Sequence, residues 1–186
     1  MPEELELKAV VSDPSAVRDR LRGAGAREQF RGRMSDRRYD RGGELMARDE
    51  VLRVRTYAGT GGKTEAVLGW KGPVQRAPGG YRRREEIELP VSAAASPHAL
   101  LGALGYDVVH AIDRDVEIYD LDGATVRLEA YPRMDPLLEV EGEPAAIERA
   151  IHTTGIDRAA FSADSLAEFV RRFESRTGTP AILTQP

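Results

Sequence analysis

The sequence predicts an α+β domain in which two similar halves close into one antiparallel β-barrel, with helices packed outside. Three observations lead there. Strand-length segments alternate charged and apolar residues with period two, as in Glu4-Leu5-Glu6-Leu7-Lys8 and Leu52-Arg53-Val54-Arg55. The order strand–helix–strands occurs twice, at an offset of about 80 residues, which is too long for a solenoid and suits a duplicated half-domain. Charges of both signs recur on one face of strand after strand, so either every such face is solvated or they meet inside a hydrated tunnel.

The elements follow in order. Residues 3–11 read as a strand. Asp13-Pro14 starts a helix, with Asp as N-cap and Pro at the first helical position. Ala16, Val17 and Leu21 give its apolar stripe, and Gly23 and Gly25 end it. Residues 28–40 form a long Arg-rich strand ending in Arg38-Tyr39-Asp40, followed by a turn at Arg41-Gly42-Gly43-Glu44. Residues 51–57 and 64–70 are the next two strands. The loop between them, Gly59-Thr60-Gly61-Gly62-Lys63-Thr64, is not a phosphate loop: the required first glycine is Tyr57, and no helix follows. A loop over residues 74–80 precedes the strand 81–89, where Arg82, Arg84, Glu86 and Glu88 share a face.

Here the pattern restarts. Glu86-Ile87-Glu88-Leu89 repeats Glu4-Leu5-Glu6-Leu7, Ser96-Pro97 repeats Asp13-Pro14, and Gly102 and Gly105 repeat Gly23 and Gly25. Strands at 107–120, 124–131 and 137–141 follow, the first two joined through Asp122-Gly123. A helix opens at Gly142-Glu143-Pro144. Another runs from about Ser162 or Asp164 to Arg176 on the core face Leu166, Phe169, Val170 and Phe173. Residues 1–186 thus form a single domain with an ordered core over about 1–176, and 177–186 read as a surface tail.

Composition bounds the function. The chain has 186 residues, 41% of them apolar and 31% charged, with net charge −4. That balance argues against a general nucleic-acid or anionic-membrane binder. No cysteine is present, which removes disulfides, thiolate metal sites and a cysteine nucleophile. No apolar run approaches the roughly 18 residues of a spanning helix, so a cytoplasmic protein is expected. His98, His110 and His152 show no metal-binding spacing. If the alternating charges face inward, carboxylates would take Mg²⁺ or Mn²⁺, which prefer oxygen ligands, and Arg/Lys would clamp phosphate oxygens.

Six segments resemble, in order, the CYTH superfamily of class IV adenylyl cyclases and thiamine triphosphatases. Glu4-Leu5-Glu6-Leu7-Lys8 matches its ExExK signature and Arg38-Tyr39-Asp40 resembles its Tyr-Phe-Asp segment. Leu52-Arg53-Val54-Arg55 resembles its Leu-Arg-Ile-Arg strand, and Trp70-Lys71-Gly72-Pro73 its Tyr-Lys-Gly-Pro segment. Arg84-Glu85-Glu86-Ile87-Glu88 and Glu139-Val140-Glu141 match its later acidic strands. The resemblance implies an eight-stranded antiparallel tunnel for a triphosphate and a divalent metal, Mg²⁺ or Mn²⁺. It implies Glu4, Glu6, Glu129, Glu139 and Glu141 as metal ligands. Lys8, Arg53, Arg55, Lys71, Arg84 and Arg114 would bind the triphosphate, with Glu4, Glu6 and Lys8 at the catalytic centre. Two positions depart from the family: Val116 stands where an Arg is expected, and Glu129 where Asp is frequent.

The expected partner is a small-molecule triphosphate, with no nucleic acid and no membrane; a homodimer is compatible. Hydrolysis of an inorganic or organic triphosphate leads, because it needs no nucleoside pocket. Conversion of ATP to cyclic AMP and pyrophosphate is the alternative. Val116 motivates a third reading, a non-catalytic polyphosphate or nucleotide binder.

Overall fold

The computed structural model describes residues 3–92 and 95–184, with backbone alone for Glu3 and Glu4. Nine strands and five helices follow the chain: β1 (Glu3–Val10), α1 (Pro14–Gly23), β2 (Arg27–Asp40), α2 (Glu44–Ala47), β3 (Val51–Gly59), β4 (Thr64–Lys71), β5 (Gln75–Arg76), β6 (Arg82–Val91), α3 (Ala95–Ala103), β7 (Asp107–Leu121), β8 (Ala124–Ala130), β9 (Leu137–Gly142), α4 (Pro144–Thr154) and α5 (Leu166–Thr177). Eight strands close in the order β1-β9-β8-β7-β2-β3-β4-β6, with β6 pairing back to β1 and β5 a short arm on β6. All pairings are antiparallel. Closure leaves no free edge among the eight.

The duplication is visible in this order. β2-β3-β4 and β7-β8-β9 are equivalent three-stranded sheets joined through β2 and β7. The first strand of each half crosses over: β1 pairs with β9 of the second half, and β6 with β4 of the first. Neither half can close its sheet alone.

Alternation decides what lies inside. Leu7 and Ala9 of β1, Val126 and Leu128 of β8, and Leu138 and Val140 of β9 turn outward and are buried under α1 (Val17, Leu21) and α4 (Ile147, Ala150, Ile151). Each fully buried aliphatic side chain there contributes about 1.5–3 kcal/mol. Hydrophobic stabilisation therefore sits outside the barrel, which leaves the interior free to be polar. Asp13 starts α1 as its N-cap, accepting from the Ser15 and Ala16 amides at 3.0 Å each. On the opposite face α3 lays Leu101 against Tyr39 and Val54. Phe169 of α5 packs with Met134 and Leu137.

Two local features differ from the sequence reading. The turn expected at Arg41–Glu44 runs into a short helix, α2, over residues 44–47, which the sequence reading did not assign; the Asp40 carboxylate accepts from the Leu45 and Met46 amides at 3.1 and 3.0 Å. Residues 177–184, expected as a surface tail, lie on the surface but are tied down. Ile182 pairs with Arg133, the Asp113 amide donates to the Leu183 carbonyl at 2.6 Å, and Leu183 packs on the Phe169 cluster. Gln185 and Pro186 lie outside the described residues. The loop after β3 turns directly into β4, with no helix, as the absence of a phosphate-loop pattern predicts.

Gly32 marks a tight point where β2 sits between β3 and β7. Its φ is +157°, and a Cβ there would lie 2.2 Å from the Ala58 carbonyl oxygen. Gly32→Ala must push two hydrogen-bonded strands apart, and is expected to cost about 1–3 kcal/mol in urea denaturation. A midpoint equal to the parent's would show that β2 and β3 shift freely there.

Candidate functional site

The inward positions of the strands converge on a cavity of about 240 Å³. β1 contributes Glu6 and Lys8, β2 Asp36 and Arg38, β3 Arg53 and Arg55, and β4 Lys71. Arg82 and Arg84 come from β6, Arg114 from β7, Arg127 and Glu129 from β8, and Glu139 from β9. Asp49 and Tyr131 join from the loops, and Ser165, Leu166 and Ala167 at the start of α5 cover part of the opening. Among the described residues nine cationic side chains and five carboxylates line it. A space with an excess of positive charge, and with most of its charges taken out of water, is matched to a polyanion.

Two groups of ion pairs organise the interior. In the first, Asp36 stands opposite Arg55 in the β2–β3 register and is only 1% exposed. Its carboxylate accepts from Arg55 Nε at 2.8 Å and meets Arg114 Nη1 at 2.9 Å. Arg114 Nε in turn donates to Glu129 at 2.9 Å, and the Tyr131 hydroxyl donates to the other Glu129 oxygen at 2.5 Å. Burial alone would raise the Asp36 pKa, but Arg55, Arg114 and Arg53 outweigh it and hold it well below the ordinary aspartate value. Burial likewise opposes the charges on Arg55 and Arg114, and the carboxylates beside them keep both above the ordinary value.

In the second group, Lys8 Nζ lies 2.8 Å from Glu6 and 2.6 Å from Glu139. Glu6 also accepts from Arg82 at 2.8 Å, and Glu139 pairs with Arg127. Burial works against the Lys8 charge, yet Glu139 and Glu6 together raise its pKa.

The fit to a divalent metal follows from this donor set. Among the described residues no three carboxylates converge on one point. Glu6 and Glu139 do converge, on the lysine nitrogen between them. An all-oxygen pair suits Mg²⁺, which takes one or two carboxylates together with substrate phosphates and water. Among the described residues this pair would fit such an ion only with further ligands from outside the protein, and no all-protein cage is formed.

Elsewhere on the wall Arg53 and Arg84 meet carboxylates that are more exposed. Lys71 pairs with Glu86, Arg53 donates to Glu88 at 2.9 Å, and Arg84 donates to Asp49 at 2.6 Å. Burial lowers the pKa of Arg53 and of Arg84; Arg55 adds repulsion at the first and Arg82 at the second. The buried Nε atoms of Arg38, Arg53, Arg84 and Arg127 have no hydrogen-bond partner.

Of the residues singled out from sequence, Glu6, Lys8, Arg53, Arg55, Lys71, Arg84, Arg114, Glu129 and Glu139 all line the cavity. The Glu4 backbone pairs with Arg84 in the β1–β6 ladder; its side chain lies outside the described residues. Glu141 sits one inward step beyond Glu139, off the cavity wall, with its carboxylate 3.9 Å from Arg127. Val116 is opposite Glu129 and Gly32 in register and 2% exposed, so a buried apolar side chain occupies the position where the resemblance expects a cation. The sequence reading did not single out Asp36, Arg38 or Tyr131 as site residues. Asp36 and Arg38 are two apart on one strand, but every residue from Ser35 to Arg38 is polar, which hides the alternation.

Fold and site define a class: a closed antiparallel tunnel whose interior is a cation-rich, carboxylate-studded cavity. No protein-family model matches the chain, and no curated protein sequence does. Solved structures match over nearly its whole length. A protein from Pyrococcus horikoshii is 23% identical over 91% of this chain and 98% of its own, with a TM-score of 0.74. A candidate adenylate cyclase from Vibrio parahaemolyticus is 18% identical over 90% of this chain and 97% of its own, TM-score 0.75. A candidate adenylyl cyclase from Hippeastrum, described by its dominant triphosphatase activity, is 15% identical over 100% of both chains, TM-score 0.62. These likenesses show the fold, and it is the tunnel that the CYTH resemblance of the motifs implies. No helix among the described residues is long and apolar enough to cross a membrane.

Proposed function

We propose that this chain is a metal-dependent enzyme acting on a triphosphate held inside the tunnel, with hydrolysis of an inorganic or organic triphosphate as its reaction. The observation that carries this reading is the excess of buried cations over carboxylates around the 240 Å³ cavity. Lys8, Arg53, Arg55, Lys71, Arg84 and Arg114 bind the phosphate chain and neutralise the charge that builds on the leaving phosphate. Glu6 and Glu139 would hold Mg²⁺ or Mn²⁺. When bound there, such an ion would supply charge neutralisation on phosphate oxygens and activation of a water or hydroxyl nucleophile. Asp36 keeps Arg55 and Arg114 extended into the cavity, and Glu129 does the same for Arg114. The likeness to the Vibrio and Hippeastrum proteins, a candidate adenylate cyclase and a candidate adenylyl cyclase with dominant triphosphatase activity, supports a reaction of this kind.

A second reading, conversion of ATP to cyclic AMP and pyrophosphate, is favoured by one feature. A further cavity of about 360 Å³, with Tyr39, Val51 and Val109 in its wall, adjoins the central one and shares Arg38, Asp49 and Val51 with it. It has room for an organic group. The test is release of orthophosphate and pyrophosphate from tripolyphosphate, ATP and thiamine triphosphate, with Mg²⁺ and then Mn²⁺, beside a Glu4→Ala/Glu6→Ala control. Turnover that vanishes in the control is expected. Orthophosphate as product supports hydrolysis, whereas cyclic AMP with pyrophosphate and no orthophosphate reverses the order of the two readings. Equal turnover in the control removes the metal site from the reaction.

A further inference from the structure

The β2–β3 ladder carries two consecutive inward pairs of opposite character. Asp36 faces Arg55, and the two form a buried ion pair at 2.8 Å. One inward step on, Arg38 faces Arg53. Like charges directly opposite each other across a ladder are destabilising. Among the described residues Arg38 makes no ion pair, and its Nε is buried without a hydrogen-bond partner. Arg53 reaches one carboxylate, Glu88, which is 45% exposed, and its own Nε is likewise buried and unpartnered. Burial, together with Arg53, Arg114 and Arg55, pulls the Arg38 pKa down to about 10 against the attraction of Asp36. The contrast is sharp with Lys8 and Arg114, each held between two carboxylates, and with Arg55, which is paired to the buried Asp36. Arg38 also stands in the wall between the central cavity and the adjoining one, so anything bound to it lies at their junction.

We propose that Arg38 and Arg53 form a phosphoryl-binding pair at the outer end of the tunnel that holds a polyphosphate without any metal, and that Arg38 is a substrate-binding residue of this chain. The inference rests on the triphosphate reading, and adds to it a residue and a division of labour. A phosphoryl group between the two guanidiniums replaces like-charge repulsion with charge-assisted hydrogen bonds to donors already in place. The carboxylate-rich inner part, around Glu6 and Glu139, is then left to the metal.

The test is calorimetric titration of tripolyphosphate into the parent protein and into Arg38→Gln and Arg38→Lys, in EDTA and then in Mg²⁺, with thermal melts of each protein in the absence of anion. The parent is expected to bind in EDTA. Arg38→Gln should weaken that binding about ten-fold or more, and Arg38→Lys should recover part of it. Because removing Arg38 also removes the like charge that faces Arg53 across the ladder, Arg38→Gln should melt at a higher temperature than the parent. Weaker binding with higher stability is a signature that a structural role for Arg38 does not produce. Equal EDTA affinity for the parent and Arg38→Gln overturns the assignment of Arg38. A lower melting temperature in Arg38→Gln overturns it too, by making Arg38 a structural residue. Binding of the parent only in Mg²⁺ overturns the metal-free subsite and leaves the triphosphate reading standing. Failure of the parent to bind in either condition defeats the triphosphate reading itself.

Discussion

Asp36→Asn is expected to destabilise the protein by about 3–5 kcal/mol, the cost of removing one partner from a buried ion-pair cluster. Asp36 is 1% exposed and is the shared counter-ion of Arg55 and Arg114. The amide that replaces it accepts a hydrogen bond but carries no charge, so two guanidiniums remain in a low-dielectric space with only Glu129 beside them. Urea denaturation at neutral pH reads the loss. The same experiment has a pH dependence with a defined sign. The Asp36 carboxyl is held well below the ordinary aspartate pKa, so its stabilisation is complete above that range and disappears as pH falls through the folded-state value. The gap between parent and Asp36→Asn should therefore be widest at neutral pH and narrow in acid. Adding tripolyphosphate should also narrow it, because a bound anion supplies the charge that Asp36 gave. A difference below about 1 kcal/mol at neutral pH would show that solvent, not Asp36, compensates the two arginines.

The fold was readable because alternation carries a direction. Leu7, Val126, Leu128 and Val140 form the apolar side of their strands, and each lies under α1 or α4. The charges on the other side then had one enclosed place to go. The two-half repeat was readable for the same reason, since the first strand and helix of each half reuse one pattern. What the linear pattern does not contain is register. That Asp36 faces Arg55, that Arg38 faces Arg53 and that Arg127 faces Glu139 are properties of how two strands align in a ladder, which the residues of neither strand state on their own. A shift of one residue would send every one of them to the outer face. Strand β2 is polar along most of its length, so neither its inward set nor its pairing could be chosen beforehand. Helix α2 escaped because four residues show no period, and its cap comes from Asp40 on the preceding strand. The pinning of residues 180–183 escaped because their partners, Arg133 and Asp113, are remote and give no local signal.

Glu139→Gln is expected to separate binding from turnover. Glu139 is the carboxylate on which Lys8 and Arg127 meet, and with Glu6 it forms the oxygen pair that fits a divalent ion. On the proposed function, removing its charge should lower metal-dependent triphosphate turnover by about 10²-fold or more, since a carboxylate that would set metal position and charge is lost together with the order it imposes on Lys8. The same substitution makes the cavity more positive by one charge. Tripolyphosphate binding in EDTA should therefore tighten, not weaken. Phosphate release in Mg²⁺ and calorimetry in EDTA read the two quantities on one preparation. Loss of both would mean that Glu139 holds the tunnel in shape. Retention of turnover would place the metal elsewhere, on Glu129 or on carboxylates nearer the mouth. The expected split follows from where the charges stand: the like-charged pair Arg38 and Arg53 would attract the anion, whereas the carboxylates around Lys8 would set where a metal meets it, so the two functions would answer to different residues of one cavity.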